Sequence, residues 1–423
     1  MSCKEPTVAA FSRRSLLAGL GAFGLFPRVT HAAESLTLSN AHLVIGDGTE
    51  VDGGIRVEDG VLVEVGASVK GGTDMQGATL WPGLWNGGSS LGLYEIDQEG
   101  GTHDETEGSD PVLPQARVID AYNPLSEVIP VTRLGGVLGS LIVPGGGRLI
   151  SGQAAWMRLA GNTVADTTIL APAGICINLG RGGTNEAAKS RMGVALKLRD
   201  LLEANKPPAE AAAKGKKEKA GKKDKEEEKT TAFQRALHSL LRRETKALIT
   251  ADRASDLMVA LDLAREFNLD AVILGAAEGH LVAKELAAAG HPVLLGPVNV
   301  QPAGLDIQYV SCENPARLHR AGVHFGFRVP ASHNLRAATL EAGVAVAYGL
   351  PRDAAIAAAC GNGPGIWGLK VGLLKVGYEA TFARCSGDPL QPRTATTGLW
   401  FRGTELPVTS RQTELYERFR TLK

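Results

Sequence analysis

The pattern that most restricts this chain is an alternation of short apolar strands with amphipathic helices, sustained for about 280 residues from Leu80 onward. Gly139-Ser-Leu-Ile-Val-Pro144, Ala247-Leu-Ile249, Ala271-Val-Ile-Leu274 and Pro292-Val-Leu-Leu295 read as buried strands. Between the last three lie helical stripes: Leu257, Leu261, Ala264 and Phe267 within 256–268, and a similar face within 281–289. Strand–helix alternation of this extent implies a parallel sheet covered by helices. At this length a (β/α)₈ barrel over residues 81–365 is the leading expectation, with an open doubly wound sheet as the alternative.

The flanks follow a different rhythm. Residues 34–80 carry short strands, and Ile55-Arg-Val57 and Val61-Leu-Val-Glu-Val65 enclose Asp59-Gly60, a hairpin signal. Residues 366–410 return to strands and turns at Leu373–Val376, Ala380–Ala383 and Gly398–Phe401, the last followed by Arg402-Gly403. A β unit at each end of a barrel predicts one small composite β-sandwich domain built from both flanks. A terminal helix is expected over 413–422. The stretch 205–230 is rich in Lys and Glu and nearly devoid of apolar residues, so burial cannot offset its ordering entropy. It reads as a solvated insertion in the barrel.

The first 33 residues read as an export signal. Ser12-Arg13-Arg14-Ser15-Leu16-Leu17 is a twin-arginine core, Ala18–Phe26 is an apolar run too short to span a bilayer, and Thr30 and Ala32 suit cleavage before Ala33. The expected location is the periplasm, without stable membrane insertion. Formal net charge is zero, which gives no electrostatic case for nucleic acid. Of five cysteines, Cys3 falls in the signal, and Cys176, Cys312, Cys360 and Cys385 have no zinc-like spacing. They read as buried thiols. No Gly-x-Ser-x-Gly elbow with a triad is present, and Gly145-Gly-Gly147 reads as a turn.

One segment carries a family likeness. Trp81-Pro-Gly-Leu-Trp-Asn-Gly-Gly-Ser-Ser-Leu-Gly-Leu93 resembles the first barrel strand of the amidohydrolase superfamily, P-G-L-I-D-x-H-x-H followed by L-G-L, in its imidazolonepropionase-like and prolidase-like branch. Gly101–Pro111, Val118–Pro124, Asn334–Ala337, Val344–Arg352, Val376–Thr381 and Ser386–Pro389 are similar to the same branch in the same order. The resemblance implies a barrel whose strand ends hold one or two divalent metals through imidazoles and carboxylates, lowering the pKa of a bound water and polarising a carbonyl.

The resemblance fails at the ligands. The two histidine positions of the first strand fall on Gly88 and Ser90. The V-H-A-H-R-A-D-D strand corresponds to Ile249–Asp256, placing Thr250 and Asp252 where histidines stand. The V-I-E-H-G strand places Gly275 at its histidine, the late aspartate falls on Val329 or Pro330, and a metal-bridging lysine falls near Cys176. Glycine has no donor and a serine hydroxyl is a poor zinc ligand. The expectation is therefore a pseudoenzyme without a cofactor, a zinc ion entering only through a relocated site. Residues that could line a vestigial pocket or such a site are His103, Asp252, Arg253, Glu278, His280 and His333.

Three functions follow from that resemblance. The chain could be a non-catalytic member of a homo- or hetero-oligomer with an active amidohydrolase paralogue. It could be a hydrolase of non-peptide C–N or dipeptide-like amide bonds with an altered metal site. It could also be a periplasmic protein that binds a small molecule in the barrel mouth.

Overall fold

The structure is a computed structural model that describes residues 35–180, 188–207, 230–302 and 304–421. The twin-arginine segment and nearly all of the lysine-rich stretch lie outside the described residues.

Both chain ends build one sheet. Its early strands are β1 (Leu36–Val44), β2 (Glu50–Glu58), β3 (Val61–Gly66), β4 (Thr73–Asp74) and β5 (Thr79–Trp81). Its late strands are β14 (Phe382–Cys385), β15 (Thr396–Phe401) and β16 (Thr404–Leu406). The order is β16-β15-β14-β5-β1-β2-β3, with β4 beside β1. Two hairpins turn at Asp59-Gly60 (φ +51° and +78°) and Arg402-Gly403 (φ +51° and +78°), the paired positive φ that a right-twisted two-residue turn demands. Leu38, Ile55, Val57, Leu62, Leu80 and Phe382 fill the core of this sheet, and Phe382 stacks on Trp400 at 5.1 Å. Segment 373–376 is not a strand. Gly372 and Gly377 flank it at φ +77° and +83°, so the chain turns there, and Leu374 instead docks through its N–H on the Ile45 carbonyl (2.9 Å).

The second sheet is a nearly closed eight-stranded barrel. Its strands are β6 (Leu84–Ser89), β7 (Val137–Ile142), β8 (Ile150–Arg158), β9 (Thr168–Asn178), β10 (Ala247–Ala251), β11 (Ala271–Gly275), β12 (Val293–Leu295) and β13 (Phe325–Phe327), neighbours in that order. All are parallel except β8, which runs antiparallel to β7 and β9. The links 143–149 and 159–167 are too short for a crossover helix, so the chain doubles back there. At the seam, the Asn86 amide stands in for ladder bonds. Its Oδ1 accepts from the Val329 N–H (2.7 Å) and its Nδ2 donates to the Val329 carbonyl (3.3 Å).

Helices α1 (Val128–Leu134), α2 (Arg191–Ala204), α3 (Ala232–Leu241), α4 (Ala254–Glu266), α5 (Ala283–Ala289), α6 (Asn314–Arg320), α7 (Ala338–Ala347) and α8 (Arg352–Ala359) belong to the barrel, and α9 (Arg411–Phe419) follows the last strand. Their apolar stripes recur at helical spacing, as Val194, Leu198 and Leu202 do on α2. A capping box between Thr231 and Gln234 starts α3, and Gly290 at φ +69° ends α5. Strand alternation sends Phe325 and Phe327 outward to the helices, while Trp85, Leu141, Trp156, Leu248, Leu274 and Leu294 fill the barrel interior. Among the described residues no helix is long and apolar enough to cross a membrane.

Candidate functional site

The mouth of the barrel lies at the carboxyl ends of β6, β7 and β9 to β13, where loops rather than ladders decide what faces inward. Along β13 the outward Phe325 and Phe327 leave Gly326 and Arg328 for the interior. The backbone N–H of Arg328 bonds the Leu295 carbonyl (2.8 Å). Its side chain then runs across Gly88, so that a β-carbon on that glycine would stand 3.0 Å from Nε and 3.4 Å from Cδ. Gly88 has φ +147°, a conformation that a histidine at this position would have to strain to adopt.

Asp252 sits opposite, just beyond β10. Its Oδ1 accepts from the Ala277 N–H (3.3 Å), and the same oxygen occupies the space a β-carbon on Gly275 would need. Gly275 also has positive φ, +99°. Arg328 and Asp252 are half-buried by accessible surface, yet protein crowds their charged ends. Burial pulls the Arg328 pKa down and pushes that of Asp252 up, each partly opposed by the other's charge. Arg328 Nε is buried without a hydrogen-bond partner, and among the described residues no carboxylate lies within ion-pair distance of the guanidinium. Cys176, from β9, faces the same charge, and burial pushes its thiol up to about 12.

The neighbouring acids are already engaged. Arg191, at the start of α2, binds Asp256 (3.0 Å) and Asp306. Glu278 is buried with both oxygens used, accepting from the Ala254 N–H at the start of α4 (3.0 Å) and from the Tyr309 N–H (3.2 Å). It caps a helix and ties down a loop. Arg253 is the residue before that helix. His280 does not face the mouth. It lies against α6 near Arg317, and burial with that charge lowers its pKa. Thr250 is half-buried on β10, and Ser90 Oγ meets Ser332 Oγ at 3.0 Å.

Two sequence candidates do come together. Tyr94 packs edge-on against His103 (4.7 Å) and His333 (5.2 Å). His103 also bonds the Ile96 carbonyl through Nε2 (3.0 Å) and borders a cavity of about 490 Å³ lined with Asp104, Glu105, Arg117 and Ser151. That volume lies in the range of small-molecule sites.

Among the described residues no three His, Cys, Asp or Glu side chains converge as a ligand set. The positions that the family resemblance assigns to ligands hold Gly88, Ser90, Thr250, Gly275 and Pro330, and the space beside Gly88 holds a guanidinium. Reading the sequence alone missed Arg328 and placed attention one or two residues later. The alternation Phe325-Gly-Phe-Arg328 was the signal, since two outward aromatics imply an inward arginine.

No known family model matches the sequence, and no curated protein matches it. Solved structures do. An amidohydrolase from Thermotoga maritima MSB8 is similar at TM-score 0.79 and 24% identity, over 89% of this chain and 100% of that one. A prolidase complexed with N-methylphosphonate-L-proline is similar at TM-score 0.55 and 15% identity, over 88% and 99%. Molinate hydrolase is similar at TM-score 0.53 and 17% identity, over 89% and 95%. The chain therefore has the amidohydrolase fold, a barrel with a β domain assembled from both ends.

Proposed function

We propose that this chain is an amidohydrolase-fold protein that does not carry out metal-dependent hydrolysis. It is exported by the twin-arginine route to the periplasm and acts there as the non-catalytic partner of a metal-bearing paralogue. One observation carries the reading. Positions 88 and 275, where imidazole ligands would be needed, are glycines at φ +147° and +99°, and Arg328 and Asp252 occupy their side-chain space. A guanidinium a few ångströms from a dication would oppose it by several kcal/mol at an effective dielectric near 20.

The test is the divalent metal content of mature protein purified from its exporting cells without chelators, together with the metal content of chains that elute with it. Far less than one metal per copy, with a metal-bearing partner in the same peak, is the expected result. One or two metals per copy of this chain would overturn the reading and favour a C–N hydrolase with an altered site. A second reading, small-molecule binding, draws on the cavity beside His103. It is checked by a metabolite panel in thermal melts, where a ligand raises stability by mass action.

A further inference from the structure

We propose that Arg328 is the anchor of a binding site for a small monocarboxylate at the barrel mouth, with Asp252 limiting the ligand to a single negative charge. The inference does not depend on the partner role proposed above, and metal content does not decide it.

Arg328 is the observation that demands an occupant. Its guanidinium is crowded by protein, its Nε has no acceptor, and among the described residues no carboxylate reaches it. A charge held this way is normally paired or hydrogen-bonded. The usual donors of relief are committed elsewhere. Asp256 and Asp306 bind Arg191, and Glu278 binds two backbone N–H groups. Asp252 feels the Arg328 charge but stands beyond ion-pair distance, its Oδ1 turned to the Ala277 N–H.

The arginine is also reachable. Gly88 removes the side chain that would block the arginine stem, and Arg328 keeps some accessible surface. A planar guanidinium fork matches a carboxylate through two parallel N–H···O bonds. Phosphate offers similar oxygens but brings a second negative charge near Asp252, whose carboxyl already feels Asp256 and Asp306. A monoanion meets less repulsion.

The probe is sodium acetate, added to the mature full-length chain at constant ionic strength set with sodium chloride. Binding to the folded state raises Tm with the logarithm of acetate once it exceeds Kd, by a few degrees over about a hundredfold range. Arg328→Met should lose the shift. Asp252→Asn should keep it and move it to lower acetate, and this second variant decides the matter if Arg328→Met does not fold. Equal melts in acetate and chloride overturn the proposal. So does an acetate shift that survives in Arg328→Met, one that Asp252→Asn leaves unmoved, or stabilisation by inorganic phosphate with none by acetate.

Discussion

Arg328 crosses the face of Gly88 with its Nε 3.0 Å from the point where a β-carbon on that glycine would stand. The relationship ties two strand ends that are neighbours across the barrel seam. It also makes the absence of a side chain at position 88 a structural requirement, because both the backbone conformation and the neighbouring arginine depend on it.

The same logic applies more severely at Gly275, and it yields the first prediction. Restoring an imidazole by Gly275→His must place a β-carbon on Asp252 Oδ1 while holding φ at +99°. A non-glycine residue in left-handed backbone costs about 1–2 kcal/mol and overpacking a further 1–3 kcal/mol. Urea unfolding of Gly275→His should therefore show a loss of about 2–5 kcal/mol, with no zinc gained at equilibrium dialysis. A variant as stable as the parent would mean that the strand end relaxes freely.

A second prediction separates structure from chemistry at Glu278. Its buried carboxylate accepts two backbone N–H groups, one of them from the first residue of α4. Hydrogen bonds to a charged group contribute about 1.5–3 kcal/mol each, and an anion at a helix start gains further from the helix dipole. Glu278→Ala should cost about 3–5 kcal/mol in chemical denaturation. Glu278→Gln, which keeps an acceptor oxygen but exposes one N–H to a donor, should cost less. Equal stability of all three proteins would return Glu278 to the list of residues free for chemistry.

These two sites show what the sequence made legible and what it did not. Barrel strands such as 271–274 and 292–295, and the helix around Leu257 and Leu261, were readable because one buried face imposes its period on the chain. The hairpin at Asp59-Gly60 was readable because its backbone favours those residues, whereas Arg402 at positive φ gives no such signal. Strand β8 was not, since its reversal depends on the shortness of two links rather than on any period. The surroundings of the barrel mouth were less legible, because the proximity of Arg328 to Gly88 links residues far apart in the chain. The packing of Glu278 and His280 was not legible for a related reason. A polar residue after a strand can face the mouth or the helix layer, and only packing against α4 and α6 decides.

The Asp252 carboxyl supplies a prediction in pH. Burial raises its pKa in the folded chain above its unfolded value, with Arg328 opposing part of the shift. The folded state therefore holds this proton more tightly. Its contribution to stability is fully present below the unfolded pKa, near 3.9 for an ordinary Asp. That contribution is lost as pH rises from there through the folded pKa. Asp252→Asn cannot ionise and should remove this component. The difference in unfolding free energy between parent and variant, followed by urea titration from the acid side upward, should shift in favour of the variant and then level off. A difference independent of pH would show that Asp252 has the same pKa folded and unfolded.

The last prediction concerns how the β domain is fixed to the barrel. Arg158, at the end of β8, binds Glu379 at 2.7 Å, and both side chains are 14% exposed. The guanidinium also donates to the Asp166 carbonyl (2.7 Å), and Glu379 Oε1 accepts from the Thr381 hydroxyl (2.7 Å) just before β14. The pair therefore joins the one reversed strand of the barrel to the segment that leads into the composite sheet. Removing one partner leaves the other charge largely enclosed, which costs about 3–5 kcal/mol when burial is complete and less with the solvent access seen here. Glu379→Ala should lose about 2–3 kcal/mol, whereas Arg158→Met with Glu379→Leu, an apolar replacement of both, should recover most of it. Because the ion pair bridges the two sheets, hydrogen exchange in Glu379→Ala should rise first in β14 and β15 while β10 and β11 keep their protection. Uniform loosening of both sheets would instead show that they unfold as one unit and that this contact has no special part in holding them together.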